Sequence, residues 1–89
     1  MRAIVTVVGK DRVGIIAGVC ALLAGNGVNI LDISQTVLQE YLTMIMLVDI
    51  SGCAITFDEL SKTLKARGEE QALAIRIQRE DIFEAMHRI

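Results

Sequence analysis

The chain has 89 residues, a formal net charge of −2 and an apolar fraction (Ala, Val, Ile, Leu, Met, Phe, Trp, Tyr, Cys) of 53%. That length makes one domain with a modest core, and the acidic balance excludes a nucleic-acid binder, which needs clustered Lys and Arg. A domain this small cannot hide so much apolar surface by itself, so self-association as a homodimer is expected.

Aromatic residues are only 3%, so the core must come from Ile, Leu, Val, Ala and Met. Charge is uneven: residues 1–50 carry seven charged side chains and residues 51–89 carry thirteen. The first half therefore supplies most of the buried surface and the second half the solvated face. Between Val13 and Leu31 there is no charge at all, a length that just reaches a membrane span of about 20 residues. Gly14, Gly18, Gly25, Asn26, Gly27 and Asn29 interrupt that stretch, which argues against a membrane segment. Met1–Val8 is too short for the apolar region of an export signal. A cytoplasmic protein is expected, with Cys20 and Cys53 reduced and Cys20 a small apolar filler.

Taken in order, Arg2 to Val8 is short and β-branched, as a buried strand requires, and Gly9 is expected to end it. A first helix should begin near Asp11 or Arg12, with Asp11 a fair N-cap. Ile16, Val19, Cys20 and Leu23 then share a face at helical spacing, with Ile15 and Leu22 off it. The helix is apolar nearly all round, so more than one side should be covered. Gly25-Asn26-Gly27 supplies its left-handed stop. Val28–Leu38 and Tyr41–Ile50 read as two long strands joined at Gln39-Glu40. In the second strand Ile33, Gln35 and Val37 alternate with Asp32, Ser34 and Thr36, giving one wet face. The third is apolar nearly throughout and should be central.

Thr56-Phe57-Asp58-Glu59 fits a capping box opening a second helix, with Phe57, Leu60 and Leu64 on one face and Gly68 closing it. Leu73, Ile75 and Ile77 alternate with Ala74, Arg76 and Gln78 in a fourth strand. Asp81 should open a short C-terminal helix with Ile82, Ala85, Met86 and Ile89 on one face. The order is an α+β, ferredoxin-like βαββαβ chain. It predicts a four-stranded antiparallel sheet with both helices on one face, the first and third strands central, plus the C-terminal helix. The open edge of the second strand invites pairing with another copy.

Catalytic and metal chemistry find little support. Gly9 to Gly14 has the spacing of a phosphate loop, but Ile15 stands where that loop needs Lys. His87, in the terminal helix, has no Cys or His at ligand spacing, so no metal or other cofactor is expected. The carboxylates of the second half are dispersed at helix starts and turns, where capping and solvation explain them. No serine, threonine or cysteine has a base nearby in sequence, so the chain does not read as an enzyme.

Three features remain. Gly14 has no side chain where a ligand would approach the helix start. Asp11 and Arg12 bring opposite charges to that corner, and Asn29 offers a donor and an acceptor at the entry to the second strand, which the fold is expected to set next to that corner. A zwitterionic amino acid suits the set: its carboxylate takes backbone N–H groups, and its ammonium takes the Asn29 oxygen or Asp11. The structural alternative is that Asp11 caps, Gly14 permits close helix packing, and Asn29 satisfies a turn.

The βαββαβ order, the turn Gly9-Lys10-Asp11-Arg12-Val13-Gly14, the apolar helix and the entry Gly27-Val28-Asn29-Ile30 together resemble the ACT domain, a small regulatory module. The likeness runs through the fourth strand and is nearest to single-domain ACT proteins, which look like one half of the glycine-cleavage-system repressor. It implies one regulatory domain over residues 1–89 that senses an amino acid at a dimer interface and controls a separate protein. The ligand would lie between the corner of one copy (Asp11, Arg12, Val13, Gly14, Ile15) and the second strand of its neighbour (Asn29, Ile30). Serine-sensing relatives carry a histidine and an asparagine where this chain has Gly9 and Asp11, and a proline where it has Val13, so serine itself is not implied. The alternative is a ligand-free module that dimerises or docks on a partner protein.

Overall fold

A computed structural model describes residues 1–11 and 13–81. Arg12 and residues 82–89, which include the expected terminal helix from Ile82 onward and His87, lie outside the described residues. Six elements follow in order: β1 (Arg2–Lys10), α1 (Ile15–Gly25), β2 (Asn29–Leu38), β3 (Tyr41–Asp49), α2 (Phe57–Glu70) and β4 (Leu73–Arg79). The four strands form one sheet in the order β2-β3-β1-β4, every neighbour antiparallel. This is the ferredoxin-like arrangement expected, with β1 and β3 central.

Register explains which side chains are buried. Val5 stands opposite Met46 on one side and Ile77 on the other; Val7 stands between Met44 and Ile75 in the same way. Directly paired residues share a sheet face, so Ala3, Val5, Val7, Leu42, Met44, Met46, Val48, Leu73, Ile75 and Ile77 form one apolar layer. Ile15, Val19 and Leu23 of α1 and Leu60 and Leu64 of α2 close over it. Ile15 is therefore a core residue, not one lying off the buried face. The buried stripe of α1 runs at i, i+4 and i+8, with Ile16, Cys20 and Leu22 only partly buried beside it. Ala17, Ala21 and Ala24 are exposed, so within one chain a single side of this helix is covered.

Two glycines differ from the sequence reading for non-local reasons. Gly9 lies inside β1, not at its end, and a Cβ there would strike the Leu73 side chain. Gly68 does not close α2; it is buried within the helix, where a Cβ would come 2.6 Å from the Leu73 carbonyl oxygen. It is the point of closest approach between α2 and β4. The stop of α1 is as expected. Gly27 has φ +79, the Val28 and Gly27 N–H groups donate to Leu23 and Ala24 carbonyls at 3.0 Å, and Leu23 and Val28 are both buried. These bonds and that apolar contact make a Schellman motif.

β2 departs from the expected one wet face. The register slips between Ile30 and Asp32, a bulge that makes Leu31 the extra residue and puts Ile30 in phase with Ile33, Gln35 and Val37. Ile30 packs on the core, but Ile33 and Val37 on the same face are 40% and 49% exposed. The helical layer stops short of the outer part of β2, leaving both faces of it wet. No helix among the described residues is long and apolar enough to cross a membrane.

Candidate functional site at the start of the first helix

The corner after β1 is longer than the sequence suggested. Asp11 does not cap α1; the N-cap is Gly14, with φ +90, which makes no side-chain capping bond. The first helical bond runs from Gly18 N–H to the Gly14 carbonyl at 2.9 Å. The N–H groups of Ile15, Ile16 and Ala17 thus have no partner within the helix, as at any helix start, and no acidic side chain in the first turn offsets them. A Cβ on Gly14 would meet nothing within 4 Å. Close packing is therefore not why glycine stands there; the left-handed backbone is.

Asp11 has another task. Its backbone N–H donates to the Glu40 carbonyl at 2.7 Å, tying the corner to the tip of the β2–β3 hairpin. Its side chain, like that of Asn29, is exposed, and Val13 stands fully in solvent. Val13, Gly14, Ile15 and Gln71 line an open cleft of about 190 Å³. Ile15 contributes backbone there, because its side chain is buried. A cleft of that size falls short of the roughly 300 Å³ at which ligand pockets begin.

Asn29 and Ile30 are not at the corner of their own chain. Asn29 pairs with Asp49, itself opposite Arg2, whereas the corner follows Lys10, which is opposite Tyr41 and, through it, Leu38. The two groups sit at opposite ends of the sheet, some eight residues or roughly 26 Å apart along a strand. Asn29 shares its end with a fixed negative charge: hydrogen bonds from the Ser51 hydroxyl and backbone N–H hold the Asp49 carboxyl below its ordinary value. No group of three or more His, Cys, Asp or Glu that could hold a metal occurs among the described residues, and Cys20 and Cys53 are free and half-buried.

Glu40 and Gln71 were not legible as neighbours of the corner. Neither belongs to a local pattern with residues 11–15. Gln71 arrives because Gly9 pairs with Leu73, which sets the end of β1 beside the turn into β4.

The profile of the ACT domain matches residues 2–78, nearly all of the described structure. The chain belongs to the ACT domain family. It is 53% identical over its whole length to a UPF0237 protein of Clostridium acetobutylicum, itself covered completely. Among solved structures, an ACT domain protein from Streptococcus pneumoniae superposes with a TM-score of 0.82 at 49% identity, each chain covered to 98%. A putative glycine cleavage system transcriptional repressor gives 0.74 at 28% identity, 88% of this chain matching 44% of that one. This ACT domain thus corresponds to about half of that protein, and to the whole of its single-domain relatives.

Proposed function

We propose that this ACT domain is a non-catalytic regulatory module that dimerises through β2 and binds a small amino acid between the corner of one copy and the β2 entry of the other. The observation that carries the reading is the unfinished start of α1: three backbone donors, an unstrained approach over Gly14, and no side chain of the first turn to satisfy them. A carboxylate is the group such an end accepts.

The edge of β2 supports the second half of the reading. Four of the nine exposed large apolar residues among those described, Leu31, Ile33, Val37 and Leu38, lie on this one strand. An unpaired apolar edge pairs readily with its own copy. Antiparallel pairing of two β2 edges about a two-fold axis turns the second strand end for end. Asn29 and Ile30 of the second copy then come to the end of the sheet that holds Leu38, the hairpin tip and the corner. The roughly 26 Å that separates these groups along a strand within one chain is thereby removed, and what is left is the spacing across the strands. Asn29 supplies an acceptor for the ligand ammonium and Asp11 a second one, while Val13 and Ile30 form the remaining boundary. A protein regulated through this module is the expected reader of the bound state.

Thermal unfolding of the wild type and of Asn29→Ala in each of the twenty amino acids tests the reading. A cognate ligand at about a hundredfold over its dissociation constant adds about 2.7 kcal/mol to the wild type, and markedly less to Asn29→Ala. Stabilisation by none of the twenty refutes ligand binding. A dimer indifferent to all of them supports the interaction-module alternative, for which the apolar β2 edge speaks. A monomer at micromolar concentration refutes both.

A further inference from the structure

We propose that the outer edge of β4, with the groove α2 walls beside it, docks an extended, acidic segment of a partner protein as a fifth strand. This assignment is independent of the amino-acid site and uses the opposite edge of the sheet.

The two edges differ in chemistry. The edge of β2 is apolar, and its nearest charges, Asp32 and Glu40, are negative. Beside β4 runs a groove of about 570 Å³, larger than the cleft at the corner. Its floor is six consecutive residues of the edge strand, 73–78, and its wall is Ser61, Lys65 and Glu69, one helical turn apart on α2. Strand and helix run antiparallel, so the groove is straight and about 20 Å long at the rise of a strand. That is the shape of an extended chain. Buried Gly68 brings the α2 backbone directly against Leu73, so wall and floor are packed on each other rather than hinged. Among the described residues no strand pairs with the outer side of β4; an edge strand turns the N–H and C=O of alternate residues outward, and strand addition is the recognition mode that uses them.

The charges select the occupant. Leu73, Ile75 and Ile77 point to the helices, so Arg76 projects from the other face of the sheet, while Lys65 overhangs the helix face. Successive side chains of an added strand go to alternate faces. Two adjacent acidic residues therefore meet Lys65 and Arg76, one each. Glu69, a turn from Lys65 and close to the start of β4, is the only carboxylate among the described residues of the lining and leaves their balance basic. A second copy of this chain is the poorer occupant. In any antiparallel self-pairing centred on residues 75, 76 or 77, Arg76 lies opposite or diagonal to the same arginine of the other copy, a like-charge contact.

The test is fluorescence anisotropy with the full chain and a labelled, terminally blocked decapeptide of Thr, Ser and Val with two adjacent central glutamates. Binding is expected to saturate, to weaken roughly tenfold when lysines replace the glutamates, and to reverse that preference in the Lys65→Glu, Arg76→Glu double variant. Both positions are exposed, so the variant's far-ultraviolet circular dichroism should match the wild type. Methylating alternate backbone nitrogens of the peptide is expected to abolish binding, which a purely ionic attraction would survive. Amide NMR shifts should concentrate on residues 61–69 and 73–78. Any of four results overturns the proposal: no saturation up to millimolar peptide, equal binding of both charge types, full binding of the methylated peptide, or shifts centred on β2. Loss of dimer in the double variant would assign the edge to a second copy and overturn it as well.

Discussion

α1 and α2 hold equivalent places in the two βαβ halves of this domain, but their ends are finished differently. The Thr56 hydroxyl accepts from the Glu59 N–H at 3.2 Å, Asp58 and Glu59 lie in the first turn of α2, and Arg67 lies in its last. Side chains of α2 thus satisfy one orphan donor and oppose the helix dipole at its N-terminus, whereas Arg67 shares the last turn with Glu69 and Glu70. α1 has no charged residue in either terminal turn and a left-handed glycine for a cap. A helix start that its own side chains complete is structural, and one that leaves its donors open is available to something else. The contrast within one chain is more informative than either helix alone, because both are held by the same sheet.

The comparison can be broken first at the glycines inside the two helices. Gly68→Ala is expected to destabilise by about 1–3 kcal/mol, the usual cost of overpacking, because the colliding atom is backbone. Gly18→Ala in α1, where a Cβ meets nothing within 4 Å, should instead stabilise by about 0.5–1 kcal/mol through helix propensity. Urea unfolding of the two variants checks the pair, and equal signs would show that α1 and α2 are not packed as described.

At the caps the expected effects are smaller than at Gly68. Gly14→Ala forces a Cβ into φ +90 and should cost about 1–2 kcal/mol. Thr56→Ala should cost about 1 kcal/mol, read as a melting shift against an exposed Lys62→Ala control. The smallest effect belongs to Asp49, where hydrogen bonding to Ser51 lowers the carboxyl below its unfolded value. A group lowered on folding binds fewer protons in the folded state. Its contribution is present above an ordinary aspartate value of about 3.9 and fades as pH falls through the folded one. Unfolding curves of the wild type and Asp49→Asn should therefore differ at pH 6 and converge below about pH 4. A gap that widened toward acid would reverse the assignment.

Residues 56–59 show why some features were readable in the chain. A cap is a contact between residues three apart, so the pattern and the structure are nearly the same statement. The alternation of Leu73, Ile75 and Ile77 and the Gly25-Asn26-Gly27 stop were legible for the same reason. Asp11 misled because a good capping residue precedes the helix by several positions, and only the path of the corner decides whether its side chain reaches back. Its backbone went to Glu40 instead. Gly68 misled because a glycine late in a helix resembles a terminator, when what excludes its side chain is a carbonyl on the following strand.

The linear order of residues determined the element sequence, the central and edge strands and the family, since periodicity and turn chemistry act over a few neighbours. Distances across the sheet were decided by strand register alone. Register separated Asn29 from the corner by the length of a strand, brought Gln71 to Gly14, and ran six residues of β4 beside Lys65 of α2. Contacts between distant segments depend on which strands pair and in what phase, and a local pattern of residue types carries no record of that phase.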